Sequence, residues 1–357
     1  MRRVLPLIIA LAVLGTAAPS ASALPPVKHV FVIMLENKGV FDAFGPPGWV
    51  NAPYLSRELP AQGQFLPRYY GVGHNSASNY IAMVSGQPPT PASKNDCPDP
   101  LTSVGTTAVP PYGLAAGNGC TYPSNFTTIA DQLATAGLTW RAYNEDIPGP
   151  CSMAASNGQY ARKHNPFVFF DSLKASGQCQ ANDVGLDQLQ TDLTSAATTP
   201  NLVYIVPNQC NDGHSACPST SPVPNPVTDD QDALRQADAW LRQYVPKILA
   251  SPAFKQDGLL VVTFDEGLDM TACCNEQPGP ADPNPGGYGF GTPGPGGGDS
   301  GTVLISPYVA PGSVNTNEYN HYSLLRSIED LFGLSHLGYA AQDGLVPFGS
   351  DVYNRAP

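Results

Sequence analysis

The sequence predicts one α/β domain, a mostly parallel central sheet sandwiched between helices. Three observations carry that expectation. Apolar, β-branched runs alternate with segments of helical periodicity, the pattern of successive strand–helix units. The strand runs are near-continuous in hydrophobicity rather than alternating, as fits strands covered on both faces. Of 357 residues, 42% are hydrophobic and 13% charged, which is enough to build a large core and excludes a disordered chain.

The chain opens with an address. Arg2 and Arg3 precede an apolar run from Val4 to Leu14, and Ala21-Ser22-Ala23 has the small-x-small form of a signal-peptidase site. Spanning a bilayer takes about 20 apolar residues, more than this run holds. The expectation is export with cleavage near Ala23, leaving one domain from 24 to 357. No later stretch is long and apolar enough to be a membrane anchor.

Five runs then read as buried strands: 29–35, 138–143, 202–206, 259–264 and 303–305. Between them, Leu234, Ala237, Leu241, Val245 and Ile248 recur at spacings of three and four, so 230–249 reads as an amphipathic helix. Leu324, Leu325, Ile328, Leu331 and Phe332 repeat the pattern, with Gly333 placed to stop the helix. Ile129, Leu133 and Gly137 suggest a third helix just before the 138–143 strand. Two segments break the rhythm. Residues 88–122 are rich in Pro, Gly and Thr, and 277–301 are dominated by Pro and Gly. Both read as long ordered loops over one face of the sheet.

Charge and cysteines narrow the function classes. A net charge of −12, from 17 basic and 29 acidic residues, argues against a nucleic-acid partner, because binding a phosphate backbone takes clustered Lys and Arg. It leaves room for a small phosphorylated substrate. Eight cysteines in an exported chain (Cys97, Cys120, Cys151, Cys179, Cys210, Cys217, Cys273, Cys274) are disulfide candidates. They allow about 105 pairings. Cys97–Cys120 and Cys210–Cys217 are the local choices, since each would close a Pro/Gly-rich loop. No CxxC pair occurs, so a structural zinc cluster is not expected.

The chemistry gathers where strands end. The 29–35 run leads directly into Glu36-Asn37, and the 259–264 run into Asp265-Glu266. In an open parallel sheet, ligands bind beyond the carboxyl ends of the strands. Two strands ending in paired oxygen-bearing side chains therefore suggest four hard ligands for one cation, although one such pair alone would read as a turn or helix cap. In His74-Asn75-Ser76-Ala77-Ser78-Asn79-Tyr80, small polar residues precede an apolar helical stretch. That places Ser76 at a helix N-terminus, as a plain N-cap or as a nucleophile beside a phosphate held by backbone N–H groups. His74, His164, His214 and His321 lie in polar loops with amide or acidic neighbours and form a plausible acid/base set. His29 and His336 lie in apolar patterns and read as structural. Gly298-Asp299-Ser300-Gly301 imitates a serine-protease string, but it opens a strand after a Gly-rich loop in an α/β chain, so that reading is rejected.

Taken in order, the segments VFVIMLENKGVFD (30–42), HNSASNYIAMVSG (74–86), YARKHNPFVFF (160–170), YIVPNQCNDGH (204–214), VVTFDEG (261–267) and NHYSLLRSIEDLFGL (320–334) resemble a known family. It is the metal-dependent phosphoesterase family of bacterial phospholipases C and secreted acid phosphatases, a branch of the alkaline-phosphatase superfamily. The likeness is nearest to actinobacterial secreted acid phosphatases and spans nearly the whole mature chain. It implies an alkaline-phosphatase-like fold, with Glu36, Asn37, Asp265 and Glu266 as ligands of one divalent ion that Ser76 also touches. Calcium, magnesium or manganese suit such an oxygen-rich set, with zinc as the alternative. The resemblance further implies Ser76 as nucleophile, with Ser78 as a second hydroxyl and rival nucleophile, Asn79 on a phosphoryl oxygen, and His164, Asp212, His214 and His321 lining the phosphate pocket. Two departures stand out. Asn75 and Ser78 replace both prolines of the family's His-Pro-Ser-x-Pro-Asn-Tyr pattern, and the loop after Asn37 is one residue longer.

The implied activity is hydrolysis of phosphomonoesters, lipid-linked ones included, through a phosphoserine. A phospholipase C-type diesterase is the alternative, and a catalytically silent phosphate-binding protein a third reading. The implied partner is a small phosphorylated substrate or a phospholipid headgroup. Oligomeric state is open.

Overall fold

The computed structural model describes residues 24–155, 159–217, 230–282 and 296–356. The expected signal peptide and much of the 277–301 loop lie outside the described residues. In chain order the main strands are His29–Leu35 (β1), Gln64–Leu66 (β2), Trp140–Asn144 (β3), Asp183–Gly185 (β4), Leu202–Val206 (β5), Gly258–Phe264 (β6), Thr302–Ile305 (β7) and Ser313–Val314 (β8). They form one sheet in the order β8-β2-β7-β6-β1-β5-β3-β4. The central run from β6 to β4 is parallel, and β7 lies antiparallel against both β6 and β2. The sheet is thus mostly parallel, as expected.

Every residue of β1 is buried, because successive side chains enter two different cores. Val30, Val32 and Met34 face one layer, which holds the helices Ser76–Ser85, Ile129–Thr135 and His321–Phe332. Phe31, Ile33 and Leu35 face the other, with Val40–Phe44 and the long helix Asp230–Ala250. In chain order we call these helices α1 (Val40–Phe44), α2 (Ser76–Ser85), α3 (Ile129–Thr135), α4 (Asp230–Ala250) and α5 (His321–Phe332). Truncating Ile33 or Met34 to alanine would open a cavity in a layer with little room to collapse, at a cost of about 2–5 kcal/mol.

Local chemistry sets the boundaries. A capping box between Thr128 and Asp131 starts α3. Its end delays β3 to Trp140, two residues later than the hydrophobic run suggests, because Gly137 takes a left-handed φ of 73° and the Leu138 amide still returns to Leu133. The α5 helix starts on the Asn320 side chain, which accepts from Ser323, and ends at Gly333 with φ 66°. β2, β4 and β8 span two or three residues, too few to show a period in the sequence.

Disulfides join Cys97–Cys120 and Cys210–Cys217, the two local candidates, and also Cys151–Cys179 and the neighbours Cys273–Cys274. Among the described residues no helix is long and apolar enough to cross a membrane.

One feature of the register positions the site. β1 and β6 pair residue for residue from His29–Gly258 to Leu35–Phe264. The next residue on each strand, Glu36 and Asp265, therefore leaves the sheet at the same level.

Candidate active site

The strand ends are stitched together by their own backbones. The Asp265 amide donates to Leu35 O at 3.0 Å, and the Asn37 amide donates to Asp265 Oδ1 at 2.9 Å. On the opposite side of β1, the Glu36 amide donates to Asp212 O at 2.8 Å, which draws in the loop after β5. Asn37 makes this turn with a left-handed φ of 52°, a conformation that costs a non-glycine residue of order 1 kcal/mol. Gly71 allows the facing loop to close in. A Cβ there would lie 2.7 Å from Asp265 O and 3.1 Å from Glu266 Cα, so no larger residue fits without displacing the acidic pair.

The α2 helix supplies the other wall. Asn75 enters it with φ 44°, and Ser76 is its first residue, fully buried. Residues three and four apart share a helix face, so Ser76, Asn79 and Tyr80 point the same way. Asn79 Nδ2 donates to Glu266 Oε2 at 3.2 Å and to Gly73 O at 2.7 Å, while its Oδ1 accepts from the Val72 and Gly73 amides. Asn79 thus holds the 72–74 loop and Glu266 together. The Tyr80 ring stacks on His164 with centroids 5.0 Å apart. His164 Nε2 lies 3.1 Å from Glu36 Oε1, which ties this helix face to the β1 strand end.

The histidines divide by position. His164 and His214 both face Glu36, His214 at 3.4 Å with its side chain 49% exposed. His164 Nδ1 is 3.9 Å from Asp212 Oδ2. His321 sits deeper. Its ring bonds to Asp265 O at 2.6 Å and to the Tyr69 hydroxyl at 3.0 Å, so it braces the β6 strand end from behind. Burial lowers His321 to about 4, which keeps it neutral and unsuited to proton donation at mildly acidic pH. His74 pairs with Glu266 at 3.4 Å and reaches Asp269 O at 2.5 Å.

The carboxylates are electrostatically unequal. Burial opposes the Glu36 charge, yet His164, His214 and Lys163 hold it well below the usual carboxylate range. Burial pushes Asp265 well above that range, and the charges of Glu36 and Glu266 add to the shift. Burial and the Glu36 charge push Asp212 up to about 6, and burial pushes Glu266 up to about 6 against its bond to His74.

Such a set fits a cation. Ser76 Oγ and Asp265 Oδ2 are buried without a hydrogen-bond partner, and the acids repel one another. Hard oxygen donors of this kind suit a divalent ion. The donors do not form a tight preassembled cluster. Among the described residues only Cys151, Cys179 and Asp183 bring three His, Cys, Asp or Glu donor atoms within 4.8 Å of one another. The two sulfurs of that trio are bonded to each other and the Asp183 carboxylate accepts from Asn144 and Asn165, so it is no ion site.

Two residues near the site, Asp96 and Lys163, carry no separate signal in the sequence. Asp96 Oδ1 accepts from the Ala77 amide at 3.2 Å, so one N–H at the start of α2 already has an anionic partner. Lys163 Nζ meets Asp96 Oδ2 at 3.0 Å. Asn75 Nδ2 donates to Lys94 O at 2.7 Å, which fastens the turn before Ser76 to the loop carrying Asp96. The adjacency of Lys163 to His164 and of Asp96 to Cys97 was the available clue.

Comparison with known proteins gives these residues a setting. The chain is 27% identical over 321 residues to a phosphatidylinositol-3-phosphatase of Mycobacterium tuberculosis, covering 90% of this chain and 82% of the relative. It is 27% identical to a probable acid phosphatase of Kluyveromyces lactis, over 87% of this chain and 59% of the relative, and 24% identical to an acid phosphatase of Aspergillus fumigatus, over 92% and 62%. The chain thus spans about three-fifths of the fungal enzymes' length. In fold it resembles a Vibrio parahaemolyticus protein of the alkaline phosphatase superfamily, with TM-score 0.52 and 14% identity over 88% of this chain and 68% of that one. It also resembles a phosphonate monoester hydrolase of Silicibacter pomeroyi, with TM-score 0.50 and 13% identity over 92% and 77%. The sequence pattern of the Phosphoesterase family matches residues 52–335, a span that includes Ser76, His164, Asp212 and Asp265. Match and fold agree, and this chain belongs to the Phosphoesterase family, hydrolases of phosphoric esters.

Proposed function

We propose that this phosphoesterase is a secreted, metal-dependent acid phosphatase that hydrolyses phosphomonoesters through a phosphoserine at Ser76. The observation that carries the reading is the Ser76 hydroxyl. It is fully buried, has no hydrogen-bond partner, and starts the helix whose face touches Glu266 through Asn79 and His164 through Tyr80. A buried hydroxyl left unpaired costs about 1–3 kcal/mol, so its persistence points to a ligand that completes it.

Glu36, Asn37, Asp265 and Glu266, with Ser76, are the residues that would hold a divalent ion. Calcium, magnesium or manganese suit the oxygen donors, with zinc as the alternative. Bound there, such an ion supplies positive charge that lowers the serine's pKa and offsets charge on the phosphoryl oxygens. The chain does the rest. Ser76 Oγ gives its proton to solvent and attacks phosphorus in line, the ester oxygen leaves with a proton from a histidine, and water then cleaves the phosphoserine to return the serine hydroxyl and free phosphate. His214, whose side chain is half-exposed, or His164 would supply the leaving-group proton, and both face Glu36. Asn79 fixes Glu266 and the 72–74 loop, and His321 fixes Asp265, so neither strand end has to reorganise during turnover.

Four disulfides support an oxidising destination, and the relative named for phosphatidylinositol-3-phosphate supports lipid-linked monoesters among the substrates. The domain from 24 to 357 would act after loss of the leader. The test is turnover of p-nitrophenyl phosphate. Chelation should abolish it until a divalent metal is restored, and Ser76→Ala should abolish it irreversibly. Full activity after either treatment would remove this mechanism.

A further inference from the structure

Asp96 and Lys163 lie beside the nucleophile turn and have no task in the reaction above. The Asp96 carboxylate accepts from the Ala77 amide, one residue after Ser76, and from the Lys163 ammonium, at 3.2 and 3.0 Å. An N–H at a helix start and an ammonium are two groups that a phosphoryl oxygen would itself use. The position of Asp96 is fixed from several sides. Its amide returns to Ser93 O at 3.0 Å, Cys97 is bonded to Cys120, and Arg162 Nη2 donates to Cys97 O at 3.3 Å. Asp96 and Cys97 both hold left-handed φ angles, 56° and 54°, so the fold keeps this carboxylate in place against local backbone preference.

The pair is also reachable. The Lys163 and Asp96 side chains are 25% and 29% exposed, and a cavity of about 130 Å3 lined by Asp96, Ala161, Arg162, Lys163 and Gln209 opens beside them. Although burial opposes the Lys163 charge, Glu36, Asp96 and Asp265 together hold it above the ordinary lysine value. The ammonium is therefore a permanent cation within range of the site's acids, with its nearest carboxylate on the open side.

We propose that Asp96 is a resident counter-anion: in the free enzyme it holds the Ala77 amide and Lys163, and the substrate's phosphoryl group displaces it from both. The pair then sets the affinity of phosphomonoesters and of the phosphate product. Exchanging one anion for another keeps Lys163 oriented while the site is empty and weakens product binding, which favours release. The inference rests on Ser76 being the residue that phosphate reaches.

The experiment compares wild type, Asp96→Asn and Lys163→Met as full-length, metal-replete proteins. It measures the inhibition constant of inorganic phosphate alongside kcat and KM for p-nitrophenyl phosphate. Asp96→Asn keeps an oxygen for the Ala77 amide but loses the charge. It should tighten phosphate inhibition about tenfold and lower KM, with kcat falling less or not at all. Lys163→Met should weaken phosphate inhibition about tenfold or more. Unchanged or weaker phosphate inhibition in an active Asp96→Asn enzyme would overturn the proposal. If Asp96→Asn does not fold, unchanged inhibition in Lys163→Met overturns it instead. The serine reading fails separately, through turnover surviving in Ser76→Ala.

Discussion

Glu36 and Asp265 make an instructive pair. They follow adjacent parallel strands in perfect register, both are fully buried, and backbone hydrogen bonds fix both. Yet their electrostatics are opposite. Glu36 faces two imidazoles and the Lys163 charge and stays ionised, whereas burial and the charges of Glu36 and Glu266 oppose ionisation of Asp265. Equal burial therefore does not mean equal charge, and the neighbours decide.

The largest expected effect lies between the two, at Ser76. Ser76→Ala should lower kcat for a chromogenic monoester by about three orders of magnitude or more while the melting temperature moves little. The strand ends themselves should respond with opposite signs in metal-free protein at pH 7. Glu36→Gln weakens the buried carboxylate's contacts with His164 and His214 and should destabilise the fold by about 3 kcal/mol in urea unfolding. Its contribution belongs above the ordinary carboxylate pKa of 4.5 and is lost as pH falls through the lowered folded value, so the loss should shrink in acid. Asp265→Asn removes a repelled carboxylate while leaving an oxygen for the Asn37 and Glu266 amides, and should stabilise metal-free protein by about 1 kcal/mol. The same sign for both variants would show that the strand ends are equivalent after all.

A smaller effect sharpens the comparison away from the site. Burial pushes Asp183 up to about 7 and Glu329 up to about 9, and neither lies among the proposed ligands. Both folded values are raised, so the fold binds protons that the unfolded chain has released. That stability is fully present below the unfolded carboxylate range and is lost as pH rises through about 7 and about 9. Stability should therefore fall from pH 5 to pH 9, with a slope approaching about 1.4 kcal/mol per pH unit for each proton involved, and the melting temperature should fall with it. Asp183→Asn should flatten the lower part of that decline. A melting temperature that rises over this range would contradict the protonated state assigned to both groups. A fold favoured by acid suits an enzyme proposed to work in acid.

What the sequence revealed and what it hid have physical reasons. Glu36, Asp265 and Ser76 were legible because each borders an unbroken apolar run, where the chain must leave the sheet or enter a helix. The five main strands and three helices were legible for the same reason. β2 and β8 are too short to carry a pattern, and the antiparallel direction of β7 lies in its pairing with β6 and β2, which composition does not encode. Asp96 was hidden in a Pro/Gly-rich loop, where position depends on a disulfide and left-handed backbone angles rather than on periodicity. Lys163 read as a neighbour of His164 because only the folded chain brings Asp96 to it. His321 read as pocket lining, and only the structure places its ring behind Asp265.

The most direct test of the central claim is to trap the reaction midway. Metal-replete enzyme is mixed with a 32P-labelled monoester, quenched in acid within milliseconds and digested. The expected result is acid-stable label on the peptide containing Ser76, absent from Ser76→Ala and from chelated enzyme. Label on another residue, or rapid turnover with no labelled peptide at any time, would contradict it.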